Sequence, residues 1–172
     1  MIISLIAAID SEYGIGKNNQ LLCSLSKDLK WFKENTDGFP VIMGRKTYEQ
    51  IFSIFKKPLP NRVNIVLSKN SLKKYHNLYD IQNDFYFFQN KEDVLHYFSN
   101  NEKIFIIGGS SIYRLFLPLA DELIITKIHQ KFYADSYFPI WDKNLFEEVF
   151  CKNENENEIL FSFHIYKKKI DL

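Results

Sequence analysis

Two segments, Pro40-Val-Ile-Met-Gly-Arg-Lys-Thr47 and Ile104-Phe-Ile-Ile-Gly-Gly-Ser-Ser-Ile-Tyr113, decide how this chain is read. Each runs a short apolar stretch into glycine and then into small polar or basic residues able to open a helix. A junction of this kind aims free backbone N–H groups and the positive end of a helix dipole at one spot, which suits phosphate. Two such spots, with Arg45 and Lys46 beside the first, suit the two ends of a dinucleotide. Neither segment is the Gly-x-Gly-x-x-Gly fingerprint, so a Rossmann nucleotide domain is not what they announce.

The same alternation continues outward from these junctions. Residues 2–8 read as a buried strand and residues 10–22 as a long loop carrying Gly14 and Gly16. Ser26 is placed to cap a helix over 27–35. Residues 41–43, 63–67 and 104–107 are short runs of the kind found inside a sheet covered on both faces, and 47–51, 91–98 and 111–117 read as helices. Residues 123–128 and 159–166 read as later strands, with the acidic, Asn-rich 152–158 as their hairpin or loop. Strand-helix alternation implies parallel pairing, and a terminal hairpin implies an antiparallel edge. The expected fold is therefore α/β: a single three-layer domain over residues 1–172 with a mixed, mostly parallel sheet and an antiparallel C-terminal hairpin.

Composition narrows the functional classes. A chain of 172 residues is near the size of one domain and buries about two thirds of its unfolded surface. Its net charge of +1 gives no reason to expect nucleic acid or an anionic membrane as partner. Cys23 and Cys151 have neither metal-ligand spacing nor a disulfide framework, which fits a reducing, cytoplasmic compartment. The apolar start, Met1-Ile-Ile-Ser-Leu-Ile-Ala-Ala8, lacks a basic n-region and meets Asp10 too soon for a signal peptide, and no segment reaches membrane-spanning length. His76, His96, His129 and His164 show no pairing with Cys or acids at ligand spacing, so no metal site is expected.

The segment Ser26-Lys-Asp-Leu-Lys-Trp-Phe-Lys33 puts Asp28 and Phe32 at i and i+4 on one helix face, with Leu29 adjacent. The helix macrodipole alone favours an Asp in a first turn. The same carboxylate beside an aromatic ring also suits a flat, amidine-like heterocycle, accepting two N–H bonds side by side while the ring lies against Phe32. Taken singly, Arg62, Lys46 and Lys69 read as solvated surface charges, and Tyr113 and Phe32 as core aromatics.

The chain resembles dihydrofolate reductase from its first strand to about Pro139. The likeness rests on Ile3-Ser-Leu-Ile-Ala-Ala8, Gly14-Ile-Gly16, Asp28-Leu-Lys-Trp-Phe-Lys33, Val41-Ile-Met-Gly-Arg-Lys-Thr47, Pro58-Leu-Pro-Asn-Arg62, Ile107-Gly-Gly-Ser-Ser-Ile-Tyr113 and Asp135-Ser-Tyr-Phe-Pro139, all in order. It implies a stand-alone, monomeric enzyme that passes hydride from NADPH to C6 of dihydrofolate while N5 is protonated, and that antifolates inhibit. Asp28 then matches the pterin-anchoring acid and Thr126 the hydroxyl that supports it. Ile6, Ala8, Leu29, Phe32, Ile51, Leu59, Ile107 and Tyr113 match the walls of the pterin and aminobenzoyl pocket. Arg62 matches the arginine that pairs with the substrate's glutamate α-carboxylate. On the NADPH side stand Ala8, Gly44, Arg45, Lys46, Thr47, Leu67, Ser68, Lys69, Ile107, Gly108, Gly109, Ser110, Ser111, Ile112 and Tyr113. The loop residues Ile15, Gly16, Asn19 and Leu21 cover the nicotinamide. The resemblance also implies a cis peptide between Gly108 and Gly109.

Three features depart from the family's common pattern. Leu22-Cys23 stands where Pro-Trp is usual, replacing an indole N–H by a weak thiol donor. Phe52-Ser-Ile-Phe-Lys-Lys57 is an insertion relative to short bacterial forms, placed at the pocket rim. Ser110-Ser111 follows the two glycines where a third glycine is commoner in bacteria. A related pyrimidine reductase of riboflavin synthesis and a non-catalytic folate-binding protein are the competing classes, and Asp28, Phe32 and Arg62 argue for a pterin with a glutamate tail.

Overall fold

The computed structural model describes residues 1–70 and 85–170 of the chain; His76 lies outside the described residues. In chain order the first half holds β1 (Ile2–Ile9), β2 (Gly14–Lys17), β3 (Gln20–Leu21), α1 (Ser26–Thr36), β4 (Val41–Gly44), α2 (Arg45–Phe55) and β5 (Asn64–Leu67). The second half holds β6 (Phe85–Phe88), α3 (Lys91–Tyr97), β7 (Lys103–Gly108), α4 (Ser110–Phe116), β8 (Glu122–Ile128), β9 (Ser136–Tyr137), β10 (Phe146–Glu156) and β11 (Ile159–Lys168). Among the described residues the main sheet runs β10-β11-β8-β1-β7-β4-β5-β6. Strands β8 through β6 in that order pair in parallel, and β11 and β10 close one edge antiparallel.

Side-chain alternation along the strands builds the three expected layers. Ile3, Leu5 and Ile9 of β1 lie with Ile106 and Ile125 beneath Val94 of α3 and Ile112 and Phe116 of α4. Ile6 points the other way, joining Met43, Val66 and Phe105 beneath Trp31 and Phe32 of α1 and Tyr48 and Ile51 of α2. Each such buried aliphatic or aromatic side chain contributes about 1.5–3 kcal/mol relative to exposure.

Several local readings change in the structure. Residues 10–22 are not all loop: β2 and β3 form a hairpin whose turn residues Asn18 and Asn19 sit at φ 51° and 57°, the left-handed backbone that a two-residue hairpin turn requires. With β9 they make a small second sheet. Ser26 is the first residue of α1 rather than its cap, and Leu25 at the N-cap offers no side-chain bond. The open N–H groups are met instead by Glu156, at the end of β10: its carboxylate accepts from Ser26 N at 2.6 Å and Lys27 N at 2.9 Å, and from Ser26 Oγ at 2.8 Å. Most of 152–158 is strand, and only Asn157 and Glu158 turn, at φ 50° and 64°. Of the insertion, the part up to Phe55 forms the last turn of α2, and the helix stops at Lys56 in the left-handed region.

Candidate active site

The carboxyl ends of β1, β4, β5 and β7 open into a cleft of about 1120 Å³. Clefts at this end of a parallel sheet are where α/β proteins bind ligands. Both glycine junctions face it. Gly44 precedes α2 and Gly109 precedes α4, and neither helix start has a side-chain cap; in α4 the third N–H, of Ile112, bonds the Gly109 carbonyl at 3.0 Å, which leaves the uncapped N–H groups before it facing the cleft. The Gly108–Gly109 peptide is cis. Gly108 has φ +114°, and a Cβ there would lie 3.0 Å from Tyr113 Cε2, so no other residue fits that backbone without strain. A Cβ on Gly44 would meet Ile112 Cγ1 at 3.1 Å, which shows how closely the two junctions are pressed together.

Every residue expected on the cofactor side lines this cleft: Ala8, Ile15, Gly16, Asn19 and Leu21 from the N-terminal part, Gly44 to Thr47 and Leu67 to Lys69 from the middle, and Ile107 to Tyr113 from the second junction. Arg45, Lys46 and Lys69 give the cleft a basic wall. Its two helix starts and its basic wall fit a phosphorylated dinucleotide such as NADPH. The loop carrying Leu21 is tied across the cleft to α2. With its amide oriented to satisfy both groups, Gln50 donates to the Asn19 carbonyl at 3.1 Å and accepts from Leu21 N at 3.3 Å.

The second half of the expected site lies between α1, α2 and the sheet. Thr126 Oγ1 of β8 donates to Asp28 Oδ1 of α1 at 2.6 Å. Burial pushes the Asp28 carboxyl above the usual range; the Thr126 bond pulls it down, and the nearby Glu156 charge adds to the rise. Phe32, Ile51, Leu59 and Ile107 pack against the buried cluster that contains Ile6. Tyr113 is buried and donates its hydroxyl to the Ile6 carbonyl at 2.7 Å. Arg62 is far from a solvated surface charge: only 6% exposed, it donates from Nε to the Pro60 carbonyl at 2.9 Å and from Nη1 to Thr36 Oγ1 at 3.0 Å. Its guanidinium carbon stands 5.9 Å from the Phe32 ring centroid. Leu29, next to Asp28, stays 48% exposed outside these clusters. Cys23 packs against Leu25, Ile128, Phe161 and Phe163, and burial first, then Asp28 and Glu156, raises its thiol pKa.

A family model described as dihydrofolate reductase matches residues 2–168. The chain belongs to the dihydrofolate reductase family. Dihydrofolate reductase of Bacillus subtilis (strain 168) is 36% identical over 170 residues, covering 97% of this chain and 95% of that protein. Dihydrofolate reductase of Buchnera aphidicola subsp. Acyrthosiphon pisum is 38% identical over 173 residues, covering 98% of this chain and all (100%) of its own length. Among solved structures, dihydrofolate reductase from Enterococcus faecalis complexed with NADP(H) and RAB-propyl superposes with a TM-score of 0.83 at 30% identity, over 98% of this chain and 97% of that one.

This member of the dihydrofolate reductase family also lines its cleft with residues that the sequence motifs do not single out. Lys17 and Gln20 come from the β2–β3 hairpin, Gln50 from α2, Gln89 and Asn90 from the turn between β6 and α3, and Lys91 and Glu92 from the start of α3. Gln50 carries a local signal, one helical turn beyond Lys46 on the same face. The turn after β6 carries none, because its place beside the cleft depends on β6 pairing with β5.

Proposed function

We infer that this chain reduces 7,8-dihydrofolate to 5,6,7,8-tetrahydrofolate with NADPH as reductant. The reading rests above all on the Thr126-to-Asp28 bond at 2.6 Å, beside a cleft whose walls Ala8, Ile107 and Tyr113 are shared by both halves of the site. NADPH, when bound, supplies the hydride. The chain supplies position and surroundings. Asp28, fixed by Thr126, accepts the 2-amino and N3 protons of the pterin, while Phe32, Ile6 and Ile51 hold the ring flat and dry. Arg62, braced by Pro60 and Thr36, meets the glutamate α-carboxylate, a role its planar fork suits better than a lysine would. Arg45, Lys46 and Lys69 favour the 2′-phosphate that distinguishes NADPH from NADH. Leu21, held by Gln50, shuts water from the reacting carbon. Folate mimics with two ring amino groups bind the same carboxylate.

We read the protein as a single-domain cytoplasmic monomer; the continuous sheet from β6 to β10 supports the single domain. A steady-state assay following NADPH oxidation tests the function. Dihydrofolate is expected to be turned over with a KM well below that of a dihydropterin lacking the glutamate tail. Turnover of a ribosylated aminopyrimidine in place of dihydrofolate would overturn the reading.

A further inference from the structure

A second cluster of chemistry-bearing side chains lies on the C-terminal hairpin, on the sheet face opposite the folate side. Strand register places it there. Thr126 pairs with Phe163, whereas the neighbouring Ile125 pairs with His164, and His164 in turn pairs with Cys151 of β10. Adjacent residues of a strand point to opposite faces, so His164 and Cys151 share the face that Thr126 does not occupy. Glu148 stands three residues before Cys151, a spacing that in a regular strand would put the two on opposite faces. The register shift between Glu148 and Phe150 inserts one residue and brings Glu148 opposite Tyr166, onto the same face as Cys151 and His164. The bulge thus assembles a carboxylate, a thiol and an imidazole that linear spacing keeps hidden.

We propose that Glu148, Cys151 and His164 form a binding site for a borderline divalent transition-metal ion of the Zn2+ type. Their ligand atoms all lie within 4.8 Å of one another. A tetrahedral zinc ion holds such ligands about 3.4–3.6 Å apart, given its usual bond lengths; Glu148 Oε1, hydrogen-bonded to His164 Nδ1 at 2.5 Å, swings back to admit the ion between them, and exposed Cys151 closes the remaining gap by side-chain rotation. The donor set of one thiolate, one imidazole and one carboxylate selects zinc-like ions over the hard, oxygen-seeking Mg2+ and Ca2+.

The imidazole is already oriented for the task. His164 Nδ1 faces Glu148, and Nε2 lies 2.6 Å from Ser162 Oγ. Ser162 in turn lies 2.9 Å from His129 Nε2. With an ion on Nδ1, Nε2–H donates to Ser162 Oγ and the Ser162 hydroxyl donates to His129, the outer-shell pattern that fixes tautomer and ring plane in zinc sites. Tyr166 stacks on the His164 ring at 5.8 Å and 7°, which further holds the ring. Binding exchanges the Cys151 thiol proton for the ion, so the thiolate, carboxylate and dication sum to zero charge. Lys127, above the Tyr166 ring at 5.2 Å, is the cation facing the cluster from β8. Three protein ligands at an exposed hairpin leave the fourth position to water. The ion would staple β10 to β11 across their bulge.

The full chain, stripped of metal with a chelator and titrated with Co2+, tests this. A single equivalent is expected to bind with a thiolate-to-cobalt charge-transfer band and the intense visible bands of a tetrahedral site, both removed by Zn2+. Cys151→Ser should abolish the charge-transfer band, Cys23→Ser should keep it, and Glu148→Gln should weaken Co2+ binding at least about tenfold. Absence of the band in the parent protein, its survival in Cys151→Ser or its loss only in Cys23→Ser would overturn the proposal.

Discussion

Thr126 on β8 donates its hydroxyl to Asp28 on α1 at 2.6 Å, and this bond joins the central sheet to the first helix at the site proposed for the pterin. Despite it, burial holds the Asp28 carboxyl above the usual range. A carboxyl with a raised native pKa lends stability at low pH, and that contribution is lost as pH rises through the native value. A neutral amide at this position would keep the Thr126 bond without a charge to bury. Asp28→Asn is therefore expected to melt higher than the parent protein at pH 7 in the absence of ligands. Melting curves across pH check this: the gap should close below about pH 4, where an ordinary Asp is protonated.

Glu156 acts on the same helix from the other end of the chain, accepting from Ser26 and Lys27. These bonds lower its carboxyl pKa, so its stabilisation is present at neutral pH and is lost as pH falls through the native value. Glu156→Gln should lower the melting temperature at pH 7, with the difference shrinking below about pH 4. Because Glu156 also raises the Asp28 carboxyl, the same variant should move the acid limb of the turnover profile to lower pH. An unchanged profile would place Glu156 in helix capping alone.

This capping carboxylate shows where sequence reading stops. Ser26 and Glu156 lie 130 residues apart, and no local rule pairs them. The apolar runs of β1, β4, β7 and β8 are legible because both their faces are buried and nearly every residue must be apolar. Strand β10 escapes the same rule, since as an exposed edge it carries Glu, Lys and Asn through most of its length. The β2–β3 hairpin hides for a different reason: its turn is Asn18-Asn19, without a glycine to mark it. In the site, the glycine junctions are local and readable, as is the Asp28–Phe32 pair. The burial and bracing of Arg62 are not readable, because its partner Thr36 comes from the end of α1.

Cys23 shows how a family departure is absorbed. Its half-buried side chain packs against the cluster of Leu25, Ile128, Phe161 and Phe163. Cys23→Trp is expected to destabilise by about 1–3 kcal/mol through overpacking and to slow turnover. Thermal melts and kcat/KM of this variant decide the matter: a faster enzyme of unchanged stability would show that the site keeps room for the ring.

We propose that Asp28, held by Thr126, orients dihydrofolate while NADPH fills the adjoining cleft, and the two roles separate in one comparison. Single-turnover hydride transfer at pH 7 is measured together with NADPH affinity in the parent protein and in Asp28→Asn. Transfer is expected to slow about 100-fold or more through lost orientation, with the dissociation constant for NADPH unchanged, because no NADPH-cleft wall includes Asp28. Near-parental transfer in Asp28→Asn, or an equal loss of NADPH binding, would contradict this division of the site.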